Sequence, residues 1–259
     1  MNKGKKKKLL AVLLSLVMLM SFAACGEGGS EKDKKNDSAD ASASDNADMN
    51  SDRKSTIDKN VKVGDYVTFG SYEQDNDTSN GKEPIEWLVL DVKDGKALVI
   101  SKYALGCKQY NTDYVDVTWE TCSLRKWLNN EFINTAFSAN EKEKISVVTV
   151  SADKNPSYST NPGNATQDKV FLLSITEAYK YFSSDHSREC KPTDYAVANG
   201  AYVEDYGSYS GNCWWWLRSP GDIQTFATFV RYVGQVNENG DGIIIRNGAV
   251  RPAMWVTIG

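Results

Sequence analysis

His186 is the only histidine of the chain, and it stands in SSDHSREC beside Asp185, Ser187 and Cys190. Acid, base and nucleophile are all present by type, which is the inventory of hydrolytic chemistry. Members of a catalytic triad, however, usually come from separate segments of a fold. The stretch is therefore read as a polar loop with an exposed histidine. Asp113 with Asp116, and Glu204 with Asp205, are carboxylate pairs of the kind glycosidases use, but closeness in sequence does not set their separation in space. Asp75, Asp77 and Ser79 in DNDTSNGKEPIE have the alternate spacing of a calcium loop. The glycine falls one place late for an EF-hand and the loop leads into a strand, so a solvated hairpin loop is expected. No phosphate-binding loop, dinucleotide fingerprint or Cys-x-x-Cys pair occurs, so no catalytic residue, metal or cofactor is assigned.

Recognition chemistry is easier to see. GNCWWWLRSPG sets Trp214, Trp215 and Trp216 side by side. On a strand, Trp214 and Trp216 share one face, while Trp215 shares the other with Leu217. One face must meet the core; an indole on the other is either covered by a loop or presented as a platform for a sugar or peptide. Arg218 and Arg251 are expected to be partly buried and paired with carboxylates, Asp222 or Glu86. Between these arginines, DIQTFATFVRYVGQVNENGDGIIIR mixes Phe226, Phe229, Tyr232 and Ile243 to Ile245 with Asn, Arg and Gln, and no single period sorts them. A core hairpin with Ile243 or Ile245 inside and a surface of rigid aromatic contacts both fit.

The elements that must position these residues are short. VKVGDYVTFGSY alternates as a strand. IEWLVLDV, KDG and KALVISKY form a hairpin around an Asp-Gly turn. TCSLRKWLNNEFINTAF has helical spacing, with Leu124, Trp127, Leu128 and Phe132 on one side. Ser138 with Glu141, and Ser174 with Glu177, are capping boxes that start two further helices. ISVVTVSA and KVFLLS read as strands, and PTDYAVANGAYV as another short helix. The tail, CWWWLRS, TFATFVRYV, GQVNENGDG, IIIRNG and AVRPAMWVTI, reads as short β runs between turns. Strands at both ends with helices between them predict an α+β fold.

The N-terminus reads as an address. MNKGKKKK is basic, LLAVLLSLVMLMSF is apolar but short, and FAAC closes it, which is a signal-peptide pattern. The small-small-Cys ending resembles the lipobox of bacterial lipoproteins, which implies cleavage before Cys25 and acylation of its thiol. Residues 1–24 are thus expected to be a signal peptide. Residues 25–60 are expected to be a lipidated Cys25 and a polar, disordered tether, too poor in large apolar residues to fold. Residues 61–259 form the domain, long enough for a substantial core. The whole chain carries 30 basic and 34 acidic residues. The first 24 hold five of the lysines and no acid, which leaves 25 against 34, a net charge of −9. That balance argues against a nucleic-acid partner. Outside the leader, Cys107, Cys122, Cys190 and Cys213 allow two disulfides in three connectivities, or four buried thiols.

VGDYVTFGSYEQ, EPIEWLVLDV, TWETCSLRKWLNNEFINTAFS, WWWLRSPG and GAVRPAMWV together resemble an uncharacterised domain family of secreted and lipid-anchored proteins, mostly of Gram-positive bacteria. The resemblance covers nearly all of residues 61–259. The layout W-L-R-S followed by G-x-V-R-P-A is similar to C-type-lectin-like folds, including the formylglycine-generating enzyme branch and the lectin-like proteins diversified by retroelements. It implies a C-type-lectin-like single α+β domain with a mixed, mainly antiparallel sheet, short helices and long loops, whose first and last strands pair. The enzyme branch relies on a C-terminal cysteine pair. No cysteine follows Cys213 here, so that activity is not carried over. What the resemblance does imply is a recognition face over residues 222–247. Trp215, Phe226, Thr228, Arg231, Tyr232, Asn237, Asn239, Ile244 and Arg246 are its expected contacts. The expected protein is a membrane-anchored, extracellular lipoprotein that binds a glycan, peptide or protein; a hydrolase using a carboxylate pair, or a structural envelope domain, remain open.

Overall fold

β1 (Tyr66–Tyr72) and β2 (Glu83–Lys93) form an antiparallel pair joined by the polar loop 73–82. β2 turns directly into β3 (Lys96–Ser101). The Asp-Gly turn adopts the expected conformation: Asp94 and Gly95 both have positive φ, 50° and 69°, which suits the twist of a tight hairpin. β4 (Gly106–Cys107) follows. The computed structural model describes residues 57–259. The expected signal peptide, Cys25 and the tether up to residue 56 lie outside the described residues. Ile57 and Val61 are already buried, so the packed chain begins slightly before residue 61. Among the described residues no helix is long and apolar enough to cross a membrane.

The predicted amphipathic helix is α1 (Ser123–Trp127) running through a π turn at Leu128–Phe132 into α2 (Ile133–Ala136). Leu124, Leu128 and Phe132 are buried as the spacing requires, with Trp127 half-buried. α3 (Ala139–Lys144) starts at the Ser138–Glu141 capping box. β5 (Val148–Val150) pairs with β6 (Thr166–Asp168), and β7 (Val170–Phe171) follows. α4 (Ile175–Tyr181) starts at the Ser174–Glu177 box. In both boxes each partner satisfies the other's free backbone N–H, which is why four residues suffice to mark a helix start. α5 (Asp185–Arg188) and α6 (Asp194–Ala198) follow, and a single tight helical turn covers Gly207–Tyr209.

The C-terminal strands are β8 (Trp215–Pro220), β9 (Phe226–Val230), β10 (Val236–Gly242), β11 (Ala249–Val250) and β12 (Ala253–Thr257). Residues 243–248, expected as a β run, form turns instead. Ile243 is buried there, Ile244 exposed and Ile245 half-buried, so the three isoleucines do not alternate across a sheet.

Two five-stranded sheets, ordered β1-β2-β3-β12-β7 and β10-β9-β8-β11-β4, carry the fold. All pairs are antiparallel except β11 with β8. The fold is α+β, as expected. The last strand joins the sheet of the first, but it pairs with β3 and β7 rather than with β1. β2 takes one edge of β1, and β12 adds to the edge of β3 that the β2–β3 hairpin leaves open.

Candidate functional site

β8, β9 and β10 build the site. Trp216 pairs with Phe229, and Phe229 with Asn237, across the sheet. Directly opposed residues share a face, so these three lie on one side, and Trp215, Val230 and Val236 on the other. Trp214, two residues before Trp216, falls on the first side. Its ring meets Trp216 edge-on at 4.7 Å and Phe229 at 5.0 Å.

Burial then separates the tryptophans. Trp215 is fully buried, its Nε1 donating to the Arg188 carbonyl at 3.1 Å. Trp216 is fully buried too, its Nε1 donating to the Lys108 carbonyl at 3.0 Å. The chain at Gly248 passes over it so closely that a Cβ there would collide with both Trp216 and Trp214. Trp214 stays half-exposed and forms the wall of a cleft of about 490 Å³. Phe229, Tyr232, Tyr202 and Ile245 complete its apolar lining, and Arg231, Asn237, Asp241 and Asn247 its polar rim. The Tyr202 ring lies 6.1 Å from Tyr232. Its hydroxyl donates to Glu204 at 2.9 Å, and that hydrogen bond together with burial holds the phenol in its protonated form. The side-chain oxygen of Asn247 is shielded and has no hydrogen-bond partner.

The cleft rests on buried arginines. Arg188 donates to the Gly234 carbonyl at 2.9 Å and to Phe182 O at 3.2 Å, and pairs with Asp185, which secures the turn that presents Arg231 and Tyr232. Arg218 pairs with Glu177 and, at 3.3 Å, with Asp153. It is thus paired as expected, but not with Asp222 or Glu86; Glu86 is taken by Lys102 at 2.9 Å. Arg251 departs further. It is 4 % exposed, donates to the Ser101 carbonyl at 2.9 Å and stacks over Trp215 at 5.1 Å, and no carboxylate pairs with it among the described residues.

The acid beside Arg251 is a thiol. Cys190 and Cys213 are joined by a backbone hydrogen bond of 2.8 Å, and the Cys190 thiol lies 3.4 Å from the Lys191 carbonyl and 3.7 Å from that of Lys102. Burial pushes Cys190 up, but the Cys213 hydrogen bond and the Arg251 charge outweigh it and hold Cys190 at about 7. Burial raises Cys107 to about 11 and Cys122 to about 12, so both are neutral thiols. All four cysteines are free and buried.

Of the expected contacts, Arg231, Tyr232 and Asn237 come together in the cleft. Trp215 and Thr228 are corrections: both are fully buried, Thr228 with its hydroxyl donating to the Ser219 carbonyl at 2.9 Å, so neither can touch a ligand. Phe226 alternates with Thr228 and Val230 and so stands on the face opposite Phe229. Asn239, Ile244 and Arg246 are exposed but line no part of the cleft. Trp214, Phe229, Tyr202 and Ile245 also line the cleft, although they are not among the expected contacts. Strand alternation placed Trp214 with Trp216, but nothing local marked which of the two a loop would cover. His186 is exposed and bonds Glu189, Ser187 Oγ donates to Ser184 O, and the Cys190 thiol donates to the Lys191 and Lys102 carbonyls, so SSDHSREC assembles no triad. A separate trio of carboxylates, Glu73, Asp75 and Glu83, could hold a cation.

Fold and site define an α+β domain of two mainly antiparallel sheets with an open aromatic cleft at the C-terminal one. The chain belongs to the family described as "domain of unknown function (DUF6273)", whose model matches residues 94–258 and so includes every cleft residue. Comparison with curated proteins and with solved structures finds no match.

Proposed function

We propose that this chain is a surface lipoprotein, anchored through Cys25, whose domain binds an extracellular glycan in the cleft of Trp214, Phe229 and Tyr232. One observation carries the reading: two of three consecutive tryptophans are sealed, while the third stays open beside two further aromatics. Indole and phenol faces stack on the C–H faces of sugar rings. Asn237, Asn247 and Asp241 offer the donors and acceptors that orient hydroxyl groups. Rigid aromatics supply contact area at little entropic cost. The lipobox resemblance and the polar stretch after it support an outer-surface location. The similarity to C-type-lectin-like layouts supports a recognition role.

The test is a glycan and peptide array probed with the full chain, followed by calorimetry on the best hit. Trp214→Ala and Tyr232→Ala should each weaken binding by about tenfold or more, the scale of an interface anchor. Phe226→Ala should leave it unchanged. Binding of peptides alone, or equal binding by all variants, overturns the glycan cleft. Cys25→Ala should release the protein from the membrane fraction; unchanged attachment overturns the anchor.

A further inference from the structure

The hairpin of β1 and β2 sets Tyr72 opposite Glu83. Glu73 follows Tyr72 directly and Asp75 lies two residues on, so three carboxylates meet at the neck of the loop. One oxygen from each lies within 4.8 Å of the others. No lysine or arginine among the described residues pairs with any of them. Lys82, the neighbouring cation in sequence, donates instead to the Thr135 carbonyl at 2.6 Å.

Two of the three are partly satisfied by the chain. Glu83 Oε2 accepts the backbone N–H groups of Gln74 at 2.6 Å and Asp75 at 3.3 Å. Asp75 accepts from Asn80 Nδ2 at 2.7 Å and the Asp77 N–H at 2.8 Å. Glu73 is different. It is 8 % exposed, and its Oε1 is shielded from solvent with no hydrogen-bond partner. Its remaining contacts are the Asp75 carboxylate and the Asn76 backbone. A shielded carboxylate oxygen without a donor, facing two further carboxylates, is costly unless a proton or a cation neutralises it.

We propose that Glu73, Asp75 and Glu83 form a Ca²⁺ site. The donors are hard oxygens with no nitrogen or sulfur among them, which excludes a preference for zinc or copper. Three carboxylates in an irregular loop suit the flexible shell of Ca²⁺. Mg²⁺ demands a near-ideal octahedron and is usually held by one or two carboxylates. The site lies before residue 94, outside the stretch matched by the family, and is independent of what the cleft binds. The ion would also brace the loop against α6: Gln74, between two of the ligands, accepts the Tyr195 N–H at 3.0 Å.

Thermal unfolding and calorimetry on the full chain, stripped with a chelator and then titrated with CaCl₂ or MgCl₂, test this. Ca²⁺ should raise Tm progressively and give a saturable heat, with Mg²⁺ weaker. Glu73→Gln should fold, should be more stable than wild type in chelator because a repulsive charge is gone, and should lose the Ca²⁺ response. No Ca²⁺-dependent shift or heat up to millimolar concentration in wild type overturns the site. So does an undiminished shift in Glu73→Gln, or a stronger response to Mg²⁺.

Discussion

The indole of Trp214 and the ring of Phe229 stand 5.0 Å apart on the same face of the C-terminal sheet. Behind them Trp216 contacts both, at 4.7 and 6.4 Å. The cleft wall is thus the outer layer of an aromatic stack whose inner layer is core. The proposed binding surface and the stability of the fold are coupled there but separable.

That separation is measurable. Trp216→Ala removes a fully buried indole and should cost about 3–5 kcal/mol in urea unfolding. Trp214→Ala, at a half-exposed position, should cost about 1 kcal/mol, the ordinary range for a point substitution. Equal costs would mean that Trp214 is core as well.

Gly248→Ala should destabilise by about 1–3 kcal/mol, the scale for overpacking a tight contact. The added Cβ meets both Trp216 and Trp214. The same variant should shift the tryptophan emission spectrum. An unchanged unfolding midpoint would show that segment 243–248 yields freely.

Arg218→Met should cost on the order of 2–4 kcal/mol, below the range for a fully buried pair because Glu177 and Asp153 are each a quarter exposed. Denaturant unfolding of the wild type and the variant measures it.

Cys190 predicts a pH dependence of definite sign. Its pKa falls from 9.0 to about 7 on folding. A depressed pKa contributes stability that is lost as pH falls through about 7, while the Cys213 thiol, raised well above 9.0 by burial and by Cys190, opposes folding above 9.0, so the pair stabilises most near 9.0. Cys190→Ser should therefore flatten the stability profile between those values. Arg251→Leu should return the thiol toward its ordinary range, read by ultraviolet absorbance of the thiolate. A profile identical in wild type and Cys190→Ser would remove the thiolate.

Much of the fold was legible because its signals are short-ranged. The Asp94-Gly95 turn, the Ser138–Glu141 and Ser174–Glu177 capping boxes and the face of Leu124, Leu128 and Phe132 each depend on atoms a few residues apart. The IIIRNG stretch misled for the same reason. Three β-branched residues favour a strand locally, but burying Ile243 and exposing Ile244 follow from where the turn must pass to cover Trp216. Of the expected contacts, Arg231, Tyr232 and Asn237 line the candidate cleft, while Trp215 and Thr228 are fully buried.

By itself the sequence determined the α+β class, the hairpin, the helix starts and the pairing of Trp214 with Trp216 on one face, since backbone preference and side-chain alternation act over a few bonds. Only the tertiary structure decided which indole stays open, which acids meet Arg218, that Arg251 faces a thiol, and that Glu73 lies beside Asp75 and Glu83. Exposure and charge pairing depend on segments far apart in the chain, and no local pattern encodes what will come to rest against a side chain.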